Sequence, residues 1–228
     1  MIFFYSLSIF LSAFLLFLVQ PIIGKQVLPW FGGSAGVWSV CLAFFHTALL
    51  AGYIYADYLS RKQLPFQAVL HTLLLGLATL TLPIVANEAF KPTASENPSL
   101  QILLLLGFTV AMPYFLLSST GPLLQAWAAR STQKASTNLE QIYRLFALSN
   151  LASLIALLSY PFLIEPYFSV SQQAKAWSGL FVVFAFSFFG FYEITLPSSW
   201  GNKMDNASNV GGMIGIFFMA LTLAIVSF

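Results

Sequence analysis

Charged side chains are scarce in this sequence, and their scarcity argues against a water-soluble fold. Nine basic and seven acidic residues make up only 7% of the 228 residues, whereas soluble domains carry roughly 25%. So few charges do not cover a protein of this size with a polar surface. Because 59% of the residues are hydrophobic, we expect the chain to lie in a membrane, with the lipid bilayer as its first partner.

Cysteine is almost absent as well. Cys41 is the single cysteine, so a disulfide or a cysteine-based metal site within the chain is excluded. The basic residues are scattered between apolar segments, and no nucleic-acid surface is predicted. The sequence has no His-x-x-x-His pair and no glycine-rich phosphate loop, and its titratable groups do not cluster at one depth. We therefore predict no metal, no cofactor and no enzymatic activity.

What the sequence does have is long apolar segments, seven of them close to the roughly 20 residues that cross a hydrocarbon core. They are continuously apolar, not alternating, which predicts helices. The fold class predicted is an all-α, polytopic integral membrane helical bundle of about seven transmembrane helices, forming one transmembrane domain over residues 1–228. The predicted spans are residues 2–23, 36–56, 66–86, 100–127, 145–164, 176–193 and 210–228.

Lysine and arginine in the connecting segments predict the orientation, because basic residues favour the cytoplasmic side. The segments after spans two, four and six carry Arg61, Lys62, Arg130, Lys134, Arg144 and Lys203. Those after spans one, three and five carry Lys25, Lys91 and Lys175. This bias places the N-terminus inside and, with seven spans, the C-terminus outside.

Two features predict how the helices bend and pack. The fourth span contains Pro113 and the sequence SSTGP at residues 118–122, which indicate a kinked or broken helix. Such a break is either a plain structural kink or part of a solute site. Small residues four apart predict close helix contacts; they are Ala48, Gly52 and Ala56, Ser149 with Ser153, Ala152 with Ala156, and Gly211 with Gly215.

Residues 20–38 separate the first two spans and are predicted to form the first outer turn. Pro21 and Pro29 are expected to stiffen it, and three glycines to let the chain reverse. Trp30 and Trp38 are expected at headgroup depth. The lysine at position 25 opposes the orientation bias and is expected to pair with Glu165, or to meet an anionic headgroup or ligand.

The remaining candidates are polar residues within or beside the spans. His46 lies near the middle of span two, where an ionisable residue is a functional hypothesis by default, although a neutral imidazole can serve only to hydrogen-bond a neighbouring helix. On the inner side Asp57 and Arg61 are spaced as an i,i+4 pair or a solvated cap. The full set of candidate polar or partner sites is Gln20, Lys25, Trp30, Trp38, His46, Asp57, Arg61, Tyr143, Arg144, Asn150 and Glu165.

Four stretches together carry a family resemblance: FLVQPIIGKQVLPWFGGSAGVW, LLAGYIYAD, PYFLLSSTGPLLQAW and YRLFALSNLASLIALLSYPFLIEP. They resemble the membrane region of the fused major-facilitator/spermidine-synthase-like bacterial membrane proteins. The resemblance implies a major-facilitator-like half in a bacterial inner membrane. The soluble transferase-like domain of that family is not among these residues, so transferase activity is not implied.

Two functions are compatible with these features. The first is a non-catalytic, facilitator-like membrane module that binds, anchors or stabilises a partner, either another membrane protein or a second copy of the chain. The alternative is a transporter-like protein for a small amine or amino-acid-like solute, working as an oligomer. The lack of deep carboxylates and of deep lysine or arginine weakens proton-coupled transport, and we expect the first function.

Overall fold

The computed structural model describes residues 2–92, 97–132 and 139–195, and within them the regular structure is entirely helical. It has seven α-helices, together with one 3₁₀ turn (Glu88–Phe90) and one π-helical turn (Tyr160–Ile164). The predicted all-α fold class is therefore confirmed. The helices are α1 (Ile2–Phe31), α2 (Ala35–Ser60), α3 (Leu64–Thr79), α4 (Pro98–Thr109), α5 (Ala111–Thr132), α6 (Leu139–Ser159) and α7 (Val170–Thr195).

The helices fit a multi-pass membrane protein. In the described part of the chain, three stretches are long and apolar enough to cross a bilayer: Tyr5–Phe31, Ala35–Ser60 and Tyr143–Ile164. The pair α4–α5 makes a fourth if its two bent halves are counted as one span. Helix α3 is apolar but shorter. The predicted seventh span, residues 210–228, lies outside the described residues.

Helix α1 is the centre of the bundle and corrects the predicted outer turn. The helix does not stop near residue 20 but continues through Pro21 and Pro29 to Phe31. It continues because Ile22 and Val27 are fully packed in the core, and packing outweighs the two backbone donors that the prolines lack. The reversal is confined to residues 32–34, where Gly32 has φ +86°, a conformation that favours glycine.

The third predicted span, residues 66–86, is also corrected, because α3 ends at Thr79. After a turn of i→i−3 hydrogen bonds that ends at Leu82, the backbone runs into the bundle, where side chains from other helices bond it. Gln26 donates to the Ile84 carbonyl and accepts from the Ala86 N–H at 3.1 and 2.8 Å. The Ile84 N–H donates to Ser178 Oγ at 3.2 Å. Irregular backbone is tolerated at this depth because protein groups satisfy it.

The fourth predicted span is broken, but not at Gly121–Pro122. Helices α4 and α5 meet at an angle of 65°, and the break is at Val110, whose φ of −134° leaves the helical range. Pro113 has no N–H to donate to the preceding turn, so the bend falls just before it. Pro122 lies inside α5 without ending it.

The last two described helices follow one another through an irregular corner. Span five, predicted at residues 145–164, is α6 continued by the π-helical turn, in which the Glu165 N–H bonds the Tyr160 carbonyl at 2.8 Å. Helix α7 begins earlier than the predicted 176–193, because Ser169 and Gln172 form a reciprocal capping box at 2.9 and 3.4 Å.

The structure describes three of the predicted small-residue sets; two lie where helices pack, whereas Ser149 and Ser153 are only half-buried. Gly52 and Ala56 are buried on α2, which packs on α5. Ala152 and Ala156 are fully buried on α6, which packs on α1. Short side chains let these backbones approach closely. Gly211 and Gly215 lie outside the described residues.

Candidate functional site

One end of the bundle carries an ion pair between distant parts of the chain. Lys25 Nζ, on α1, lies 3.0 Å from Glu165 Oε1, just after the π-helical turn. Both side chains are partly exposed, so the pair lies in reach of water. Pairing with Glu165 was one of the alternatives that the sequence left open for Lys25, and the pair joins the last third of α1 to the end of α6.

A second charged pair lies in the segment between α3 and α4. Lys91 Nζ bonds Glu88 Oε1 at 2.8 Å and lies 5.1 Å above the ring of Trp30. The hydrogen bond and the charge of Lys91 lower the pKa of the Glu88 carboxyl. Trp30 is therefore held at the end of α1 by a cation, in the position expected of an interfacial aromatic side chain.

Buried polar contacts near this end connect α1 to its neighbours. Gln20 Nε2 donates to Tyr114 Oη at 3.1 Å. Tyr160 Oη lies 3.1 Å from Gln173 Oε1 and 3.3 Å from the Pro21 carbonyl. The tyrosine hydroxyl thereby joins the π-helical turn after α6 to α1 and α7. Gln20 is thus an interior contact and not a helix-end residue.

The structure contains a buried polar cluster that the sequence interpretation did not single out. His71, on α3, has no exposed surface, and its Nε2 lies 2.9 Å from Thr120 Oγ1 on α5. Its Nδ1 lies 3.5 Å from Tyr55 Oη on α2. The edge of Phe188, on α7, meets the imidazole ring at 5.1 Å between centroids. Four helices therefore converge on this one imidazole.

A glutamine one turn earlier on α3 extends the cluster. Gln67 is fully buried; its Oε1 accepts from Trp127 Nε1 at 2.6 Å, and its Nε2 donates to the Ser60 and Lys62 carbonyls at 3.1 and 2.5 Å. The amide thereby satisfies carbonyls at the end of α2 and the indole of α5 together. Its role in the fold is to hold three helix segments in register.

One signal in the sequence would have pointed to this cluster. Gln67 and His71 are four residues apart and Thr79 follows eight residues later, a pattern that places all three towards one side of a helix. The opposite face carries exposed Val69, Leu73 and Leu77. In lipid the polar face turns inward, so this stripe identifies the interior side of α3.

The other predicted site residues are mostly exposed and do not form one site. His46 is exposed, and its recorded hydrogen bond joins Nδ1 to the Leu42 carbonyl at 2.7 Å. Asp57 and Arg61 form the expected i,i+4 ion pair at 2.7 Å, also exposed. The beginning of α6 contributes three further exposed residues, Tyr143, Arg144 and Asn150.

Trp38, in the first turn of α2, packs across a small residue of α1. Its ring lies so close to Gly24 that a Cβ there would come within 3.2 Å of Trp38 Cζ3. The indole is still 43% exposed. Trp38 therefore both anchors α2 against α1 and presents an aromatic face at the end of the bundle.

Residues 32–36 read Gly-Gly-Ser-Ala-Gly, the spacing of the Gly-x-Ser-x-Gly nucleophile turn, and so bear on the question of catalysis. In hydrolases that motif joins a strand to a helix, whereas here it joins α1 to α2. Ser34 is the N-cap of α2, and its Oγ accepts from the Val37 N–H at 3.3 Å. Ser34 therefore acts as a helix cap in this structure.

Comparison with known proteins found one similarity. The family model described as "Cytochrome C biogenesis protein transmembrane domain" matches residues 151–228. This is a likeness of about a third of the chain, and its described part covers the second half of α6, the π-helical turn and α7. No curated protein and no solved structure matched.

The resemblance to the fused major-facilitator/spermidine-synthase-like proteins was therefore wrong. The family model that matches is a different one, and it covers residues 151–228, whereas the motifs quoted for the resemblance begin at residue 17. Apolar helices with small residues and prolines recur in many membrane proteins, so such strings carry little family information. The major-facilitator-like half that the resemblance implied therefore has no support.

Proposed function

We propose that the chain is a non-catalytic membrane module that binds, anchors or stabilises a partner protein in a membrane complex. The observation that carries this proposal is the uneven burial of its spans. In the most apolar stretch of α1, 61% of the residues are buried, against 22% for α2 and 17% for the span that contains α6. The two outer helices therefore present most of their surface to lipid or to a partner.

The interior chemistry supports a structural role. Gln67, His71, Gln173 and Tyr160 all bond groups of the chain itself. Polar groups engaged with one another inside a bundle hold helices in register. They are consistent with a scaffold whose function resides on its outer surface.

The similarity of residues 151–228 suggests the kind of complex, one that acts in cytochrome c biogenesis. A redox step that cycles between a dithiol and a disulfide needs two cysteines, and these 228 residues have only the buried Cys41. This favours a supporting part in such a complex over a redox part within the chain.

The test is to purify the tagged whole chain from its native membrane in a mild detergent and to weigh the intact particle. We expect a particle heavier than the 25.1 kDa chain by the mass of a second, stoichiometric membrane protein. A lone monomer of the chain in several mild detergents would contradict the proposal. A washed preparation from a membrane without the tagged chain is the control for adventitious proteins.

Transport of a small solute is the second candidate, because a broken span and a buried imidazole occur on neighbouring helices. Transporters build solute sites at discontinuous helices of the kind formed by α4 and α5, and His71 lies at the contact of α3 with α5. The amine or amino-acid class rested on the overturned resemblance and is no longer specified. Solute flux in proteoliposomes that is lost in His71→Gln and kept in His46→Ala, with both variants folded, would favour transport over partner binding.

A further inference from the structure

The outward face of α2 is unusually polar for a helix surface turned away from the bundle. Ser39, Ala43, His46, Thr47 and Leu50 are all exposed and recur at spacings of three and four, so they share one side of the helix. We call this set the α2 outer face. The other exposed apolar residues further along α2 are ordinary lipid-facing side chains.

His46 lies near the middle of α2, the part that meets the driest region of a bilayer when a helix of this length crosses it. In the 26-residue helix Ala35–Ser60 it is the twelfth residue, which places it about 17 Å from one end and about 21 Å from the other at 1.5 Å per residue. Its position is thus within about one turn of the middle of the span. A polar side chain here gains from any hydrogen-bonding partner, because lipid offers none.

The hydrogen bonds within α2 determine what such a partner must supply. The Leu42 carbonyl accepts only, so the contact at 2.7 Å requires the proton of His46 on Nδ1. In the neutral imidazole, the form that is cheaper in hydrocarbon, Nε2 is then an acceptor. The Ser39 and Thr47 hydroxyls donate to the Ala35 and Ala43 carbonyls, each at 2.8 Å.

The three polar groups of the α2 outer face have thus used their protons within the helix, and what remains on the surface is acceptors. We propose that this face binds a transmembrane helix of another protein, an inference that rests on the proposed function. The bound helix carries a hydrogen-bond donor, such as an amide or hydroxyl, at mid-membrane depth. Ala43, one turn before Thr47, leaves room for that helix to approach. If two copies paired through this face, hydrogen-bond acceptors would meet acceptors. Face-to-face pairing of two copies is therefore not the expected arrangement.

The chemistry is tested with a defined probe. The whole chain, labelled with a fluorophore, is placed in liposomes with a labelled transmembrane peptide of leucines that has one central glutamine, or with the all-leucine peptide as control. For the wild type we expect energy transfer to the glutamine peptide about threefold or more above the control. His46→Gln, which keeps an acceptor, should retain the difference and His46→Leu should lose it.

Two results of this experiment overturn the proposal. One is equal energy transfer from the two peptides to the wild type; the other is a difference that survives in His46→Leu. Leu154→Ala, on the exposed side of α6, is the matched control, because it changes the lipid-accessible surface away from the α2 outer face, and it should behave as the wild type. Unchanged chromatographic and thermal behaviour of every variant shows that each is folded.

The place of binding is tested by photo-crosslinking in the native membrane. A photoreactive residue replaces Ala43 on the α2 outer face or, for comparison, Ile155 on the exposed side of α6. We expect position 43 to crosslink to a transmembrane peptide of another chain with a donor side chain within one turn, and the crosslink to fall at least fivefold in His46→Leu. A crosslink from position 43 to a second copy, or to lipid alone, overturns the proposal.

The same experiment separates this inference from the proposed function. If a companion protein copurifies but crosslinks only from position 155, the proposed function stands and the α2 outer face is not the binding surface. If no companion copurifies, the proposed function itself fails.

Discussion

At Gly52 the α2 and α5 backbones are so close that an added methyl group would overlap Ser118 Oγ and lie 3.0 Å from the Phe115 carbonyl oxygen. The serine side chain can rotate, but the carbonyl belongs to α5 and cannot move alone. Close contact of this kind provides the van der Waals attraction that holds helices together in lipid. Burial of apolar surface contributes little to helix association there, because lipid tails are apolar too. A single residue at such a contact therefore affects stability chiefly by setting the distance between two helices.

Gly52→Ala should destabilise the bundle by about 1–3 kcal/mol, because the new methyl group forces α2 away from α5. Unfolding in mixed micelles, followed by tryptophan fluorescence or circular dichroism, measures the change. Gly107→Ala is the matched control, since nothing lies within 4 Å of its added Cβ, and its stability should be unchanged or slightly higher. Equal losses in the two variants would contradict the close approach at Gly52.

Gln67→Leu should lower the free energy of unfolding by about 2–4 kcal/mol. The substitution removes three hydrogen bonds, one from the buried Trp127 indole N–H and two to the Ser60 and Lys62 carbonyls, and the loss of buried hydrogen bonds is costly. Trp127 fluorescence should shift at the same time. Gln63→Leu, at an exposed position without a side-chain capping bond, is the control; a loss as large as that of Gln67→Leu there would show that any leucine on α3 has this effect.

At the scale of elements, proline did not mark helix ends in the way the sequence suggested. Pro21, Pro29 and Pro122 lie inside helices, because the packing of their neighbouring residues outweighs the missing N–H groups. Residue-by-residue propensity cannot foresee this tertiary packing.

The apolar segments, by contrast, predicted the helices well. Spans one, two and five coincide with stretches that are long and apolar enough to cross a bilayer, because hydrophobicity in lipid is a direct physical constraint. The pairing of Lys25 with Glu165 could also be expected, since both lie at the same predicted end of the bundle. The spacing of Gln67 and His71 indicates the interior side of α3, but the partners of His71 on α2, α5 and α7 depend on tertiary packing and could not be predicted.

The tie between α1 and the corner after α6 gives an element-scale prediction. Glu165→Gln should lower stability by less than about 1 kcal/mol, because the ion pair with Lys25 is partly exposed and screened. The double variant Lys25→Glu with Glu165→Lys restores an ion pair of opposite orientation and should recover part of the lost stability. Each of the two charge reversals alone should recover none of it. A full double-mutant cycle by micelle unfolding measures the coupling; zero coupling would mean that the contact contributes no stability.

At the scale of the whole molecule, α1 lies at the centre and packs against α5, α6 and α7, while α2 and α6 are more exposed. Gln20, Gln67 and His71 bond side chains of other helices, whereas the polar side chains of the α2 outer face bond carbonyls of α2 itself. This arrangement ties the proposed partner-binding role to one physical condition, that α2 crosses the bilayer. If α2 did not, His46 would be hydrated and would need no partner.

The most direct measurement of that condition is cysteine accessibility at the two ends of α2. Cys41→Ala removes the single cysteine, and Gly33→Cys or Lys62→Cys then places one thiol just before or just after the helix. With a membrane-impermeant maleimide, we predict that position 33 reacts from outside the intact membrane and position 62 only after the inner side is opened. Labelling of both positions from the same side would contradict the crossing of α2, and with it the account of His46 and its partner.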